Sequence, residues 1–412
     1  MLENIIGHAA LVDGIRAELR EGRFPRAVLF FGPPYGGKLS TALEVARALT
    51  CQEGSAAWSC ECASCRSQKE LMHPHTVLLG WRPTDVEIAA CGEALVRSRK
   101  TASHYLFVRA VRKLTRRFDT AILDPDDARA KGAQEKVARL EELLSEIPLG
   151  QELPADRALG STVEKVIGAA AGLSAHLRPD GIAVGQVRVL SSWAHLTASG
   201  SRKVAIMENA DRMLDSARNA MLKLLEEPPE SVFLILVAAR RGAILPTILS
   251  RLRPYHFMQR SPEEEREVLA KIFRREGDGP QSLRGFFLSW KAINPETLAA
   301  HAERFLRCVS DAGESVDILS ELSEIFPERG GAGRPVKETG ISFLEELAEL
   351  LRRAARDAGE VEPLEQWRDA LRDAQMRMDV LNMAPQAVVE SLFYRMRGAR
   401  AALVAHGPGG SA

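Results

Sequence analysis

The sequence predicts an α/β fold in which a mostly parallel sheet is covered by helices on both faces, followed by an all-helical region. Three observations predict it. Short apolar runs rich in Val, Ile and Leu alternate with helical patterns over the first 258 residues. A glycine-rich turn, "GPPYGGK", joins one such run to a helix. After Phe257 the strand signals fade and amphipathic helical patterns take over.

The elements follow in order. "AVLFFG" (27–32) has the continuous apolar character of a strand buried on both faces. Past the turn, Leu39, Leu43, Ala46 and Leu49 recur at helical spacing. "TVLLGW" (76–81) is a second candidate strand; "KVAIM" (203–207) and "VFLILVAA" (232–239) are stronger ones. Between the last two, "LDSARNAMLKLLEEPP" (214–229) reads as a helix with Ala217, Met221, Leu224 and Leu225 on its apolar face. Asp215 is expected to cap it and Pro228–Pro229 to end it. Residues 82–180 interrupt the scheme with charged, helical sequence, of which "EKVARLEELLSEI" (135–147) is the clearest amphipathic piece. They read as an insertion between strands. Ser261 and Glu264 have capping-box spacing at the head of the next helix. Further helices are expected near 341–357, 363–381 and 386–404, after a Gly/Pro-containing break at 328–336, with a disordered tail at 406–412.

At 412 residues the chain is long enough for two or three domains. Hydrophobic residues at 45% and charged residues at 27% are ordinary for a globular protein. The formal net charge is zero, so any nucleic-acid contact must come from local patches or from a complex. The N-terminus lacks a signal-peptide pattern and no apolar run reaches ~18 residues, so the chain is expected to be cytoplasmic, with no membrane partner.

The turn fits the phosphate-loop pattern G-x-x-x-x-G-K-[ST] at Gly32, Gly37 and Lys38, with Gly36 also present. Backbone N–H groups and a helix N-terminus there can cradle phosphate, and Lys38 can meet the outer phosphates. The hydroxyl that normally holds Mg²⁺ is missing, because Leu39 stands in its place. Ser40 lies one residue late, about 100° round the helix. The partner half of an ATP site should end a later strand with Asp for the metal and Glu to polarise water. In "VAIMENADRM" (204–213) Glu208 occupies the first slot and Asn209 the second, and an amide is a poor general base. Two independent departures damage the same chemistry and argue against hydrolysis in this chain. Whether ATP still binds stays open, the other reading being a glycine turn with Lys38 solvated.

The stretch 208–257 closely resembles the AAA+ subunits of bacterial sliding-clamp loaders. "MLKLLEEPP" (221–229) and the pair Ser250–Arg251 carry that resemblance. Within that family "ENADRM" is similar to the delta-prime type of DNA polymerase III rather than to the tau/gamma motor type, whose strand ends in Asp-Glu. The resemblance spans about 1–80 and 185–258. It extends more weakly to "MDVLNMAPQAVVESLFYRM" (378–396), similar to the end of the collar. The stretch 82–180 has no recognised counterpart.

The resemblance implies an α/β P-loop AAA+ core over 1–258, a small helical lid over 259–295 and a helical collar over 296–405. It implies a five-subunit ring whose partners are the tau/gamma motors, the delta subunit and the sliding clamp, with primed DNA reached through the complex. ATP binding by the motors would open the clamp, and hydrolysis would release it closed on DNA. Arg251, otherwise a surface arginine after a helix, would meet the ATP of a neighbouring motor subunit as a trans-acting finger. The family motif is Ser-Arg-Cys; here Leu252 takes the third place, which bears on packing more than on chemistry. Arg284 in "QSLRGFFLS" is similar to the lid arginine of the motors. The rival readings are the ATP-hydrolysing motor of the same loader, and a free-standing nucleotide-binding regulator.

Cys51, Cys60, Cys62 and Cys65 form C-x8-C-x1-C-x2-C, which in a reducing compartment points to structural Zn²⁺. The family's zinc module usually has two residues between its second and third cysteines. His73, His75 and Cys91 are substitutes should one cysteine not be a ligand, and free thiols are the plain alternative. Residues 97–117 hold eight Lys/Arg (Arg97, Arg99, Lys100, Arg109, Arg112, Lys113, Arg116, Arg117) and no Asp/Glu. The preferred reading is a solvated helix face balanced by the acidic stretch at 135–152; a DNA or acidic-partner contact is the other.

Overall fold

In the computed structural model, described over residues 1–123, 128–177, 181–196, 202–275, 282–290, 294–310, 318–325, 336–357, 362–379 and 383–405, the predicted strands fall where the apolar runs lie. The break expected at 328–336 falls almost wholly, and the tail at 406–412 entirely, outside the described residues. In chain order the elements are α1 (Ala9–Arg20), β1 (Ala27–Phe31), α2 (Lys38–Thr50), α3 (Ala63–Lys69), β2 (Thr76–Leu79), α4 (Asp85–Ser98) and α5 (Thr101–Thr115). A 3-10 turn at Arg116–Phe118 follows, then α6 (Ala128–Ser145), α7 (Asp156–Ser174), α8 (Val184–His195), β3 (Lys203–Met207), α9 (Asp215–Glu226) and β4 (Val232–Ala238). The first region ends with α10 (Pro246–Leu249), β5 (Arg253–His256) and α11 (Pro262–Lys271). Among the described residues that follow, the elements are all helices: α12 (Leu283–Trp290), α13 (Pro295–Ser310), α14 (Ile318–Ile325), α15 (Val336–Asp357), α16 (Glu362–Asp379) and α17 (Pro385–Ala405).

All strand pairs are parallel, in the order β2-β3-β4-β1-β5. Side chains alternate across the sheet as a period of two requires. On one face Val28, Phe30, Leu78, Val204, Ile206, Ile235 and Val237 join Val12, Ile15, Leu39 and Leu43 of α1 and α2. On the other, Leu29, Val77, Leu79, Ala205, Met207, Leu234 and Leu236 join Val187 and Leu190 of α8 and Met221 and Leu224 of α9. Burial on both faces is why these runs carry no polar alternation. β1 sits between β4 and β5, so the loop after it leaves the carboxyl edge of the sheet where the strand order changes direction, the usual ligand position in such sheets.

β5, "RPYH", has no strand signature in sequence. Among the described residues it pairs with β1 alone, and an edge strand tolerates Pro254 and exposed polar residues. The capping box at Ser261 and Glu264 is present, with both reciprocal bonds. Asp215 is not the cap of α9: Leu214 holds that position, and Asp215 is the first helical residue, paired with Arg218 at 2.8 Å.

The stretch 82–180 is largely helical among its described residues, with α4 packed on α5 and α7, and α6 on α7. It buries its own apolar side chains, among them Leu95, Phe107, Leu114, Leu140 and Val163. The chain divides into two units, 1–284 and 285–412. The second is built around Phe305, Phe343, Leu347, Trp367, Leu371 and Phe393.

Candidate nucleotide and metal sites

The loop after β1 is fixed by two glycines. Gly32 has φ 142°, and a Cβ there would lie 2.0 Å from the carbonyl oxygen of Phe257. Gly37 has φ 81° and precedes α2 as its N-cap. Lys38 opens α2, and its ammonium donates to the carbonyl oxygens of Gly32 (2.6 Å) and Pro33. Burial, reinforced by the nearby Arg82 charge, pulls its pKa down to about 8. Leu39 is buried in the apolar cluster under the sheet, and Ser40 is exposed. The Thr41 hydroxyl donates back to the Gly37 carbonyl at 3.1 Å. His8 donates through Nε2 to the Gly36 carbonyl (2.8 Å), and the Arg260 guanidinium donates to the Ile6 (3.0 Å) and Tyr35 carbonyls. Arg260 therefore lies against the loop, a position the sequence did not mark.

At the end of β3, Glu208 is buried and held by two guanidinium groups. Arg117 donates through Nη2 to Oε2, and Arg82 through Nη1 to Oε1 at 3.2 Å. Arg117 also donates to the carbonyls of Leu79 (3.3 Å) and Gly80 at the end of β2. Arg82 reaches Glu87 at 3.0 Å, and Glu87 in turn pairs with Lys113. Burial pushes the Glu208 carboxyl up, but Arg117 and Arg82 outweigh it and hold the group below the ordinary carboxylate value. Glu87 is treated the same way by Lys113 and Arg82, against its burial, and lies at about 2. Asn209 is in the left-handed region (φ 52°) and donates through Nδ2 to the Trp81 carbonyl. Hence the two metal positions do not fit Mg²⁺, one being an apolar side chain and the other a carboxylate already paired with arginine, and the water-polarising position holds an amide.

These contacts overturn the expectation of a solvated basic face. Arg109 donates to the Lys69 carbonyl at 3.0 Å, Arg112 pairs with Glu70 and Glu141, and Arg116 donates to the His73 and Thr76 carbonyls. The paired acids come from the core (Glu44, Glu70, Glu208) and from the stretch 82–180 itself (Glu87, Glu93, Asp119, Asp156), with Glu141 from the acidic stretch. The sequence showed the charge run; it could not show that α5 turns that run toward the sheet.

Arg251 follows α10. It donates to the Thr247 carbonyl (2.7 Å) and the Ser250 hydroxyl (3.4 Å) and pairs with Glu226 of α9 at 2.9 Å. Its side chain is 35% exposed, so the guanidinium is oriented yet reachable. Leu252 is buried in the core cluster with Leu224. Arg284 is the second residue of α12 and the last residue of the first unit.

The sulfur atoms of Cys51, Cys60, Cys62 and Cys65 all lie within 4.8 Å of one another. A tetrahedral zinc with Zn–S near 2.3 Å requires edges of about 3.8 Å, and Cys51 and Cys60 already stand 3.9 Å apart. The four sulfurs therefore suit zinc with no position left for a substrate. Cys51 ends α2, and Cys62 caps α3, accepting from the Cys65 amide at 3.4 Å. Although burial pushes the Cys62 thiol up, amide donors from Cys65 and Gln52 and the neighbouring thiols pull it down to about 6. Arg47, fully buried, ties the module to α2: it pairs with Glu44 at 2.9 Å, donates to the Ala57 carbonyl at 2.9 Å and lies 3.8 Å from the Cys65 sulfur. Among the described residues, His73, His75 and Cys91 are not in the cluster. His73 bonds Ser64 at 3.1 Å, and Cys91 is buried in α4, its thiol pushed up to about 12 by burial.

A parallel sheet, five-stranded among the described residues, whose strand β1 runs from between β4 and β5 into a glycine-rich loop and helix defines the class of phosphate-loop α/β proteins, here with the residues at the metal and water-polarising positions altered. The family model for DNA polymerase III, delta subunit, matches residues 7–122 and 162–261, just over half of the chain. The chain belongs to that family, and so to the clamp-loader subunits its sequence resembles. The match runs through 82–122 and 162–180, so most of the stretch read as an insertion does have a counterpart; only 123–161 falls between the matched segments.

The DNA polymerase III subunit delta' of Pseudomonas aeruginosa is 35% identical over 112 residues, covering 24% of this chain and 34% of that protein. The subunit gamma/tau of Mycobacterium tuberculosis is 37% identical over 75 residues, covering 18% of this chain and 13% of that protein. The chain thus matches only about an eighth of the length of the gamma/tau relative. A crystal structure of a DNA polymerase III gamma subunit-related protein from Thermotoga maritima is 19% identical, with a TM-score of 0.26, covering 53% of this chain and 80% of that one.

Proposed function

We propose that the chain is the non-motor, delta-prime-like subunit of a DNA polymerase III clamp loader. It has little or no ATPase of its own and lends Arg251 to the ATP site of a neighbouring motor subunit. The observation that carries this reading is the misfit at the metal and water-polarising positions: Leu39 is buried, Glu208 is paired with two arginines, and Asn209 is bonded to Trp81. Arg251 supports the second half, since Thr247 and Glu226 orient a partly exposed guanidinium that can meet two phosphate oxygens.

On this reading residues 259–295 form the lid and 296–405 the collar, and the four cysteines hold a structural zinc. The partners are the tau/gamma motors, the delta subunit and the sliding clamp, in the cytoplasm, with primed DNA met through the assembly. Arg251→Ala in an assembled loader should lower hydrolysis at the one site it faces by about 10³-fold or more. A loader whose hydrolysis is unchanged at every site would refute the assignment.

The motor reading has one observation in its favour, the 75-residue likeness to gamma/tau. Turnover of Mg-ATP by the isolated chain, abolished by Lys38→Ala, would put that reading first.

A further inference from the structure

The arginines around Glu208 point past a merely silent site. Glu208 ends the strand beside β4 and stands where a phosphate-loop protein carries its metal-binding acid. Both of its oxygens are engaged, Oε2 by Arg117 and Oε1 by Arg82. The Arg117 side chain is 1% exposed. It is fastened a second time to the carbonyls of Leu79 and Gly80. Gly80 makes that fit possible: its φ is +91°, and a Cβ there would lie 2.1 Å from the Glu208 carbonyl oxygen. Arg82 is fastened a second time by Glu87, itself held by Lys113. The cation beside Glu208 is therefore built in, delivered by the turn after α5 and by the segment after β2, and locked by carbonyls and a further acid.

We propose that Glu208 takes its counter-charge from the chain itself, the guanidinium groups of Arg117 and Arg82 replacing the divalent cation, so that α5 and its turn serve to make the loop site metal-independent. The proposal deepens the non-motor reading and rests on it only in taking Glu208 as the former metal position. Its test measures metal retention and stability rather than turnover, so the two can fail separately.

The zinc-loaded full chain is titrated with Mn²⁺, with and without ATP, and free Mn²⁺ is followed by electron paramagnetic resonance. The expected result is no Mn²⁺ retained beyond that held by ATP in solution, with wild type and Glu208→Gln alike. In the same samples Glu208→Gln should melt roughly 5 °C or more below wild type, because it strands a buried guanidinium. The double variant Arg117→Met/Glu208→Gln should regain much of that loss, since neither charge is then left alone. Mn²⁺ held by wild type and lost on Glu208→Gln would overturn the proposal. So would a Glu208→Gln chain as stable as wild type, because an acid awaiting a metal gains stability when its charge is removed. A double variant no more stable than Glu208→Gln would overturn it as well, and this comparison decides the matter if the single variant folds poorly.

Discussion

Gly32→Ala isolates what holds the loop after β1. At Gly32 the backbone has φ 142°, and the added Cβ would sit 2.0 Å from the Phe257 carbonyl oxygen. An L side chain at such a φ costs about 1–2 kcal/mol before any contact is counted. Ordinary contact begins near 3.4 Å, so the loop or β5 must withdraw by more than 1 Å. That movement breaks the bond from the Phe257 amide to the Phe31 carbonyl, now 2.8 Å, and leaves both groups buried at a cost of about 1–3 kcal/mol. Together these give about 2–5 kcal/mol, or a melting point lower by about 4–20 °C for a unit of this size. Gly22→Ala is the control: its φ is +66°, and nothing lies within 4 Å of the added carbon, so only the backbone cost of about 1–2 kcal/mol remains. Urea and thermal unfolding of the two variants side by side would decide. If Gly32→Ala is within about 1 kcal/mol of Gly22→Ala, the close approach of β5 to the loop does not govern the loop's stability and the reasoning fails.

Two further outcomes are expected. His73 is buried, which together with the His75 and Arg116 charges near it pulls its pKa down to about 4. The folded state then binds fewer protons than the unfolded one, so this group lowers stability as pH falls from about 6.5 toward 4, by up to ~1.4 kcal/mol per pH unit; urea midpoints of wild type and His73→Gln across that range should converge at low pH, and parallel curves would contradict the assignment. On the proposal that the four cysteines hold zinc, chelation should change the fluorescence of Trp58, whose ring lies 5.5 Å from Arg47 and 5.4 Å from Lys69, while the far-ultraviolet signal of the sheet persists; a chain that carries no zinc after expression in zinc-replete medium would remove the metal reading.

The core strands and the helix over 215–226 were legible because burial on both faces or on one stripe writes itself into local apolar patterns. The glycine turn, the capping box at Ser261 and the cysteine cluster were legible for a similar reason, since each needs particular residue types at short spacing. The family resemblance and the altered residues Leu39, Glu208 and Asn209 were likewise plain in one line of text. The edge strand β5 was not, because its only requirement is a backbone partner in β1. Nor were the roles of Arg82, Arg117 and Arg260, which come from pairings between residues far apart in the chain: Arg117 meets Glu208 across 91 positions and Arg260 meets Tyr35 across 225. The sequence by itself determined the core strands and the helices that cover them, and which chemistry is missing from the loop. The tertiary structure decided where the charges go, because a long cationic side chain is satisfied equally well by water or by a buried carboxylate, and only the packing of α5 against the sheet chooses between them.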